Sequence, residues 1–357
     1  MIKNLILWIG LYSYALAGNL ITIVPYKTAA FSPTLKQTFK ISFTLHEEAK
    51  VKIDIYTPDY NLIRSLESKT LPQGVHSLLW DGKDSAGTLV PDEAYVIVVS
   101  ASNKQHKEVI DNRFTGGVIM KDLSTKVDRS GNISYTLSVP ARVLVRAGIK
   151  NGPMLRSISN WIPKNKGKIR QRWNMQDQEK LINIAALNFV ISVSAYALPK
   201  FSIITTNNKT LSYRDYVIKK QLKCANTLEN YTKNRTEKQR LSKHSMRCRL
   251  EDINPHIKME ISKVQKNDHN ITILNNGERV SIKVSMYHED EVLFEKEKYE
   301  VSFFIDNVFT SEEESGYMPL IWNYTPNGLK KGEHILTINI SSFAGLVGLV
   351  NYRFVIE

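Results

Sequence analysis

Cysteine is nearly absent, with two in 357 residues. That excludes a disulfide-dense scaffold. No Cys-x-x-Cys pair occurs, so thioredoxin-type redox chemistry, a cysteine zinc finger and Cys-x-x-Cys-His haem attachment are excluded as well. Long apolar runs are missing beyond the N-terminus: none reaches the ~18 residues that a membrane-crossing helix needs. There is no Gly-x-Ser-x-Gly elbow, His-Glu-x-x-His helix, P-loop or Gly-x-Gly-x-x-Gly turn. The eight histidines are scattered, and none pairs with another at metal-ligand spacing. Acidic residues are outnumbered, 35 against 48 Lys plus Arg, for a net charge of +13. This favours anionic partners without naming one. What is present is a globular composition, 42% hydrophobic and 23% charged. The length allows several domains.

The first residues have the layout of a secretory signal. Lys3 precedes an apolar run from Leu5 to Leu16 that ends in Ala15-Leu16-Ala17. A basic start, about a dozen apolar residues and a small-x-small end predict export, with cleavage after Ala17. A retained anchor helix is the alternative. Residues 1–17 are therefore read as a signal peptide, and the mature chain as periplasmic, extracellular or on the cell surface.

From residue 39 the apolar residues alternate. Phe39, Ile41, Phe43 and Leu45 form one set, and Val51, Ile53 and Ile55, between Lys50, Lys52 and Asp54, form the next. Period two places one set inside a sheet and the other in water. Tyr95 to Ala101 is continuously apolar, as a doubly covered strand would be. Turn signals separate these runs at Pro58-Asp59, Pro72-Gln73-Gly74, Asp81-Gly82 and Gly87. Short strands at this spacing predict a β-sandwich. Asp81 to Gly87 has the spaced carboxylates of a calcium loop but lacks the bidentate Glu, so a tight turn is the reading.

The pattern then repeats. Ile133-Ser-Tyr-Thr-Leu137 echoes Ile41-Ser-Phe-Thr-Leu45, and Ala141-Arg-Val-Leu-Val145 echoes Ala49-Lys-Val-Lys-Ile53. Arg156 echoes Arg64, Trp173 echoes Trp80, and Phe189-Val-Ile-Ser-Val193 echoes Tyr95-Val-Ile-Val-Val99. An offset drifting from 92 to 94 residues implies a duplicated module with two small loop insertions.

The stretch of about 39–102 resembles the immunoglobulin-like domain of the flagellar hook-capping protein, a FlgD-like domain. The matching features are the Ala-x-Val-x-Ile step, Leu62-Ile-Arg-Ser-Leu66, Gly74-x-His76, Trp80-Asp81-Gly82-Lys83-Asp84, Gly87, and Tyr95 opening the last strand. A diverged copy spans about 131–197 and has Trp173-Asn174-Met175 in place of the Trp-Asp-Gly turn. The resemblance implies an add-on sandwich more than an activity. The part of a hook-capping protein that engages flagellar partners has no visible counterpart.

A third set of strands follows, around Val280–Met286, Tyr299–Ile305 and His334–Ile340. The fold expected is mainly β: three Ig-like β-sandwich domains in tandem with one α-helical hairpin insert. Residues 18–104 form the first sandwich, 105–130 a linker, 131–206 the second sandwich, 207–254 the insert and 255–357 the third. Trp80, Trp173 and Trp322 are read as core plugs, one per sandwich, each burying about 200 Å².

The insert begins with Ser212 and Asp215, a helix-start pair. Cys224 and Cys248 flank a polar turn at 232–236, which would set the thiols side by side in a hairpin. In an oxidising compartment a Cys224–Cys248 disulfide is expected, worth roughly 3–4 kcal/mol. The hairpin is basic, and the region from Met286 to Glu314 is acidic. These opposite fields suggest docking within the chain or between neighbours, against the alternative of two solvated surfaces. A second basic run, Lys164, Lys166, Lys168, Arg170 and Arg172, alternates strictly between Trp161 and Trp173. On one strand all five would share a face for an anionic partner, or would keep an edge soluble.

Together these features predict a non-catalytic exported structural or adhesive protein without a cofactor. It would act through protein partners in an envelope or extracellular assembly. The alternatives are a binding module for anionic polysaccharide on the basic stripe, and an accessory subunit of an exported enzyme or electron-transfer complex. Nucleic acid is excluded as a partner by the export signal and the absence of its recognition motifs.

Overall fold

The computed structural model describes residues 19–121, 123–225, 240–262, 264–294 and 298–357. Residues 1–17, expected from the sequence to be a signal peptide, and the expected polar turn at 232–236 lie outside them. The chain is mostly strand. The first eight are β1 (Ile21–Ile23), β2 (Ala30–Phe31), β3 (Phe39–Leu45), β4 (Ala49–Tyr56), β5 (Leu62–Leu71), β6 (Gly74–Trp80), β7 (Ala94–Ser102) and β8 (Lys107–Asp111). Next come β9 (Lys126–Val127), β10 (Asn132–Leu137), β11 (Ala141–Ile149), β12 (Met154–Lys164), β13 (Gly167–Arg172), β14 (Phe189–Ala197) and β15 (Ile203–Thr205). Helix α1 (Tyr213–Lys219) follows, and then β16 (Ile257–Ile261), β17 (Gln265–Lys266), β18 (Thr272–Leu274) and β19 (Val280–Met286). Helix α2 (His288–Phe294) precedes β20 (Tyr299–Ile305), β21 (Val308–Glu313), β22 (Leu320–Tyr324), β23 (Gly332–Ser342) and β24 (Val347–Ile356).

These strands make three sandwiches, each a small sheet over a second sheet. The first pairs β1-β3-β6 with β2-β15-β7-β4-β5, and β8 hydrogen-bonds to β7. The second pairs β13-β10-β9 with β12-β11-β14, and the third pairs β16-β19-β22 with β17-β18-β24-β23-β20-β21. The alternation seen in the sequence is the burial seen in space: Phe39, Ile41, Phe43, Leu45, Val51, Ile53 and Ile55 are buried in one hydrocarbon cluster with Trp80 and Tyr95. Trp173 is buried in the second cluster. Trp322 packs against the third core but plugs it less completely than the other two tryptophans. It is half-buried and stacks on Phe303 and Tyr324, because β22 is the edge strand of its sheet.

The first sandwich borrows from beyond the second. Strand β15 lies in the stretch expected to belong to sandwich two, yet it sits between β2 and β7 of sandwich one, parallel to β2 and antiparallel to β7. Ile203 is fully buried in the first core, with Tyr216 of α1. The chain therefore leaves sandwich one, builds sandwich two and returns. Strand β8, in the stretch expected to be a linker, pairs with β7.

The duplication holds at the level of single hydrogen bonds. The Trp80 indole N–H donates to the Lys83 carbonyl at 3.0 Å, and that of Trp173 donates to the Gln176 carbonyl at 3.0 Å. Arg64 donates to the Asp84 carbonyl, as Arg156 does to the Asp177 carbonyl. Ser85 N–H donates to Ile63 and Gln178 N–H to Leu155. The turn after the tryptophan survives the loss of its glycine. Gly82 has φ +73°, and Met175 occupies the same left-handed conformation with φ +60°. Asn174 Oδ1 accepts from the backbone two residues on, as Asp81 does.

The insert differs from the expected helical hairpin. Its first arm is the seven-residue α1, with the Ser212 hydroxyl capping Asp215 N–H. The described part of the second arm holds two short 3-10 turns, at Lys243–Met246 and Arg249–Glu251, in place of a helix. Contacts with the sandwiches override helical propensity there: Arg249 N–H donates to Asp59 instead of to a helical carbonyl. Cys224 and Cys248 are disulfide-bonded, with Cα atoms 5.8 Å apart.

Candidate functional site

Ionisable groups gather where the pieces of the chain meet. Glu93, at the foot of β7, is 2% exposed. It lies between two guanidiniums, Arg142 of β11 at 2.7 Å and Arg249 of the insert at 3.0 Å. Burial alone would lower the Arg142 pKa, but Glu93 beside it, together with Tyr196 and Asp252, outweighs that and holds the guanidinium charged. Arg249 also donates to the carbonyls of Asp252 and Asn160. One carboxylate thus ties sandwich one, sandwich two and the insert. Asp59 strengthens the joint, accepting from Arg249 N–H at 2.6 Å and from the Tyr213 hydroxyl at 2.8 Å. Burial pushes the Asp59 carboxyl up.

Trp161, expected beside the basic stripe, is instead buried in this joint. Its ring lies 5.1 Å from that of Tyr196 and 4.3 Å from that of His244. His244 in turn contacts Asp252 at 2.5 Å. Asp59 lies within metal-ligating reach of both sulfurs, but the Cys224–Cys248 disulfide leaves no thiolate to bind an ion.

The turn aspartate that the duplication repeats serves docking in both copies. Asp84 Oδ1 accepts from Ala86 and Thr88 N–H inside its own turn. Its Oδ2 accepts from Tyr216 and from Lys220, the latter at 2.7 Å, which fixes α1 to sandwich one. Those donors outweigh burial and lower the Asp84 pKa. Asp177 Oδ1 likewise accepts from Ile182 N–H, while its Oδ2 accepts from Asn351 of β24 at 2.9 Å. Sandwich three is also held by Glu179, which accepts from Asn351 N–H at 3.0 Å. Asn339 exchanges two hydrogen bonds with the Met154 backbone. Burial, with Asp177 nearby, raises the Glu179 carboxyl to about 7.

Two cations of the basic insert, Lys220 and Arg249, pair with acids of sandwich one. The insert's contact with the acidic region of sandwich three includes an ion pair, Arg214 to the buried Asp290 at 3.5 Å.

The basic stripe is split by a hairpin. Lys164 ends β12 and is half-buried, Lys166 is in the turn, and Lys168, Arg170 and Arg172 are exposed on β13. Across from these last three stand Thr136, Ser134 and Asn132 of β10, all uncharged. Lys126 and Arg129 are exposed close by, and Lys126 lines the same shallow hollow as Lys168, Arg170 and Arg172. Asp128, which also lines it, is engaged by Ser130 and Asn132 of its own turn. Trp173, the other expected aromatic neighbour, points into the core. The stripe thus has charge without an aromatic platform.

Residues 28–105 match the FlgD Ig-like domain. Fifty-four residues are 44% identical to the Basal-body rod modification protein FlgD of Salmonella typhimurium, and equally to that of Salmonella typhi. The match takes in 15% of this chain, which spans about a quarter (23%) of those proteins. Among solved structures, FlgD from P. aeruginosa aligns over 26% of this chain and 74% of its own at 23% identity, with a TM-score of 0.22. A tetra-tandem repeat from the extending region of a large adhesion protein aligns over 94% of this chain and 73% of its own, at 12% identity and a TM-score of 0.18.

The joint residues were not singled out from the sequence. Glu93, Arg142, Arg249, Glu179 and Asn351 lie far apart along the chain and belong to no motif. Asp84 closes the Trp80-to-Asp84 stretch, and Asp177, 93 residues on and in step with the two tryptophans, could have been found from it.

Proposed function

We propose that this chain is a non-catalytic, exported structural component that acts through protein contacts in an envelope or extracellular assembly. The observation that carries this reading is the use made of its buried ionisable groups. Glu93, Arg142, Arg249, Asp84 and Asp177 are consumed in joints among the sandwiches and the insert. They fix the relative placement of the pieces and are directed at neighbouring parts of the same chain. The FlgD-like sandwich supports it, being an Ig-like unit found in a protein named for basal-body rod modification. No helix among the described residues is long and apolar enough to cross a membrane, and the disulfide suits an oxidising compartment.

In-cell cross-linking of the full chain in its native cell, followed by mass spectrometry, tests the reading. Cross-links to envelope or surface proteins, or to a second copy, are expected. A chain recovered without any cross-linked protein would overturn it. A second reading, an anionic polysaccharide held on the stripe, is favoured by Lys168, Arg170 and Arg172 being exposed opposite uncharged residues. Salt-sensitive heparin retention that is lost when these three become Ser is the outcome expected of it.

A further inference from the structure

Two strands of the folded chain have one open side and carry opposite charge. Strand β13 pairs with β10 alone and ends its sheet; β21 pairs with β20 alone and ends its own. Outward from β13 project Lys168, Arg170 and Arg172. Outward from β21 and the residue after it project Thr310, Glu312 and Glu314, with the half-buried Glu313 between. Side chains of one face repeat every ~6.8 Å on a regular strand. Strand β13 keeps that repeat along β10, whereas β21 is interrupted at Thr310, so the two edges are matched by their opposite charge. None of the three cations and none of Glu312, Glu313 and Glu314 has an ion-pair partner among the described residues.

The duplication shows that β13's charge is not required by the fold. The corresponding strand of sandwich one, β6, carries Val75, Ser77 and Leu79 at the three outward positions. Lysine and arginine replace all three in the second copy. Charge on an edge strand prevents pairing with an identical edge, since like charges would face each other. It has the reverse effect on an edge of opposite sign, where cross-strand ion pairs are favourable. The chain's own β21 offers that edge, but it lies in another sandwich and the two strands are not paired within one molecule.

We propose that the acidic edge strand β21 of one copy docks against the basic edge strand β13 of a second copy, linking chains head to tail. The contact uses different surfaces on the two copies, so it leaves a free β21 at one end and a free β13 at the other. Such a contact builds open chains unless the rotation between copies closes a ring. This proposal rests on the structural reading above and names one of its partners, a second copy of this chain.

Sedimentation velocity of the full mature chain over a concentration series, at about 0.05 M and about 0.5 M salt, tests it. Association that rises with concentration at low salt and weakens at least about tenfold at high salt is expected. The variants Lys168→Glu/Arg170→Glu/Arg172→Glu and Glu312→Lys/Glu313→Lys/Glu314→Lys should each stay monomeric alone. Mixed in equal amounts they should associate again, because the unaltered β21 of the first meets the unaltered β13 of the second, and the two altered strands meet with reversed sign. That recovery also shows that neither variant is misfolded. A wild-type chain that is monomeric at low salt overturns the proposal, as does association that survives both reversals. Monomers retained on heparin through the three cations would assign the strand to a polyanion instead. Monomers that still cross-link to envelope proteins would refute this contact while leaving the structural role intact.

Discussion

Sandwiches one and two are the same module put to different uses. Their interiors match: Ile41 and Ile133, Phe43 and Tyr135, Val51 and Val143, and Trp80 and Trp173 are buried at corresponding positions. Their outward positions do not match. Val75, Ser77 and Leu79 become Lys168, Arg170 and Arg172. Exposed Lys50, in a surface pair with Glu67, becomes buried Arg142. Glu93 stands where the second copy has Leu187, two residues before its final strand. Packing between two sheets leaves little freedom to the inward set, because a change of even one methylene is felt. The outward set is free to specialise, and here it has specialised into joints and a charged edge.

If the two interiors are equivalent, Trp80→Ala and Trp173→Ala should cost about the same, roughly 3–5 kcal/mol each. Urea unfolding of each variant measures this. A Trp173→Ala variant as stable as wild type would show that the second copy has lost the packing role of its indole. The outward contrast is sharpened by Glu93→Ala against Lys50→Ala. Removing Glu93 leaves two guanidiniums in a buried joint with no carboxylate between them, and about 3–5 kcal/mol should be lost. Lys50 and Glu67 are both about half exposed, so Lys50→Ala should cost less than ~1 kcal/mol. Equal losses would remove the distinction between joint and surface.

The sequence displayed what is periodic or repeated. Alternation gave the strands around Ile41 and Ile53, the echo gave the duplicate, and the two cysteines with a turn between them gave the disulfide. It concealed what depends on three-dimensional return of the chain. Strand β15 is three residues long and has no partner nearby in sequence, so nothing marked it as part of sandwich one. The second arm of the insert looked helical because helical propensity is local, whereas the Arg249 contacts with Asp59 and Glu93 are not. Trp322 packs on its core like the other tryptophans, but its place on an edge strand leaves it half-buried.

The turn after the tryptophan gives a smaller and asymmetric test of the comparison. A Cβ on Gly82 would lie 2.3 Å from the Pro33 side chain, in a left-handed conformation that L residues rarely adopt. Gly82→Met should therefore cost about 2 kcal/mol or more. Met175 already holds that conformation and is 5% exposed. Met175→Gly should relieve about 1 kcal/mol of backbone strain while losing buried thioether, for a net loss of about 1–2 kcal/mol. Thermal melts of the pair would rank them, and a Gly82→Met variant as stable as wild type would place Pro33 elsewhere than against this turn.

The two docking turns should also answer to pH in opposite ranges. Glu179 has its carboxyl raised from 4.5 to about 7, so the folded joint holds the proton more tightly than the unfolded chain does. Its stabilising contribution is complete below about 4.5 and is lost as pH rises through 7, at about 1 kcal/mol once partial exposure is allowed for. Asp84 has its carboxyl lowered by Lys220, Thr88 and Tyr216, so its contribution is present above the ordinary value of 3.8 and is lost as pH falls through the lower folded value. Rising pH therefore loosens sandwich three from sandwich two, while acid loosens α1 from sandwich one. Hydrogen exchange corrected for intrinsic rate, followed at Asn351 and at Thr88 from acid to neutral pH, reads both joints in one experiment. Glu179→Gln should flatten the Asn351 profile and leave that of Thr88 unchanged. A common pH dependence at the two sites would mean that the repeated aspartate turn does not hold its two docked elements independently.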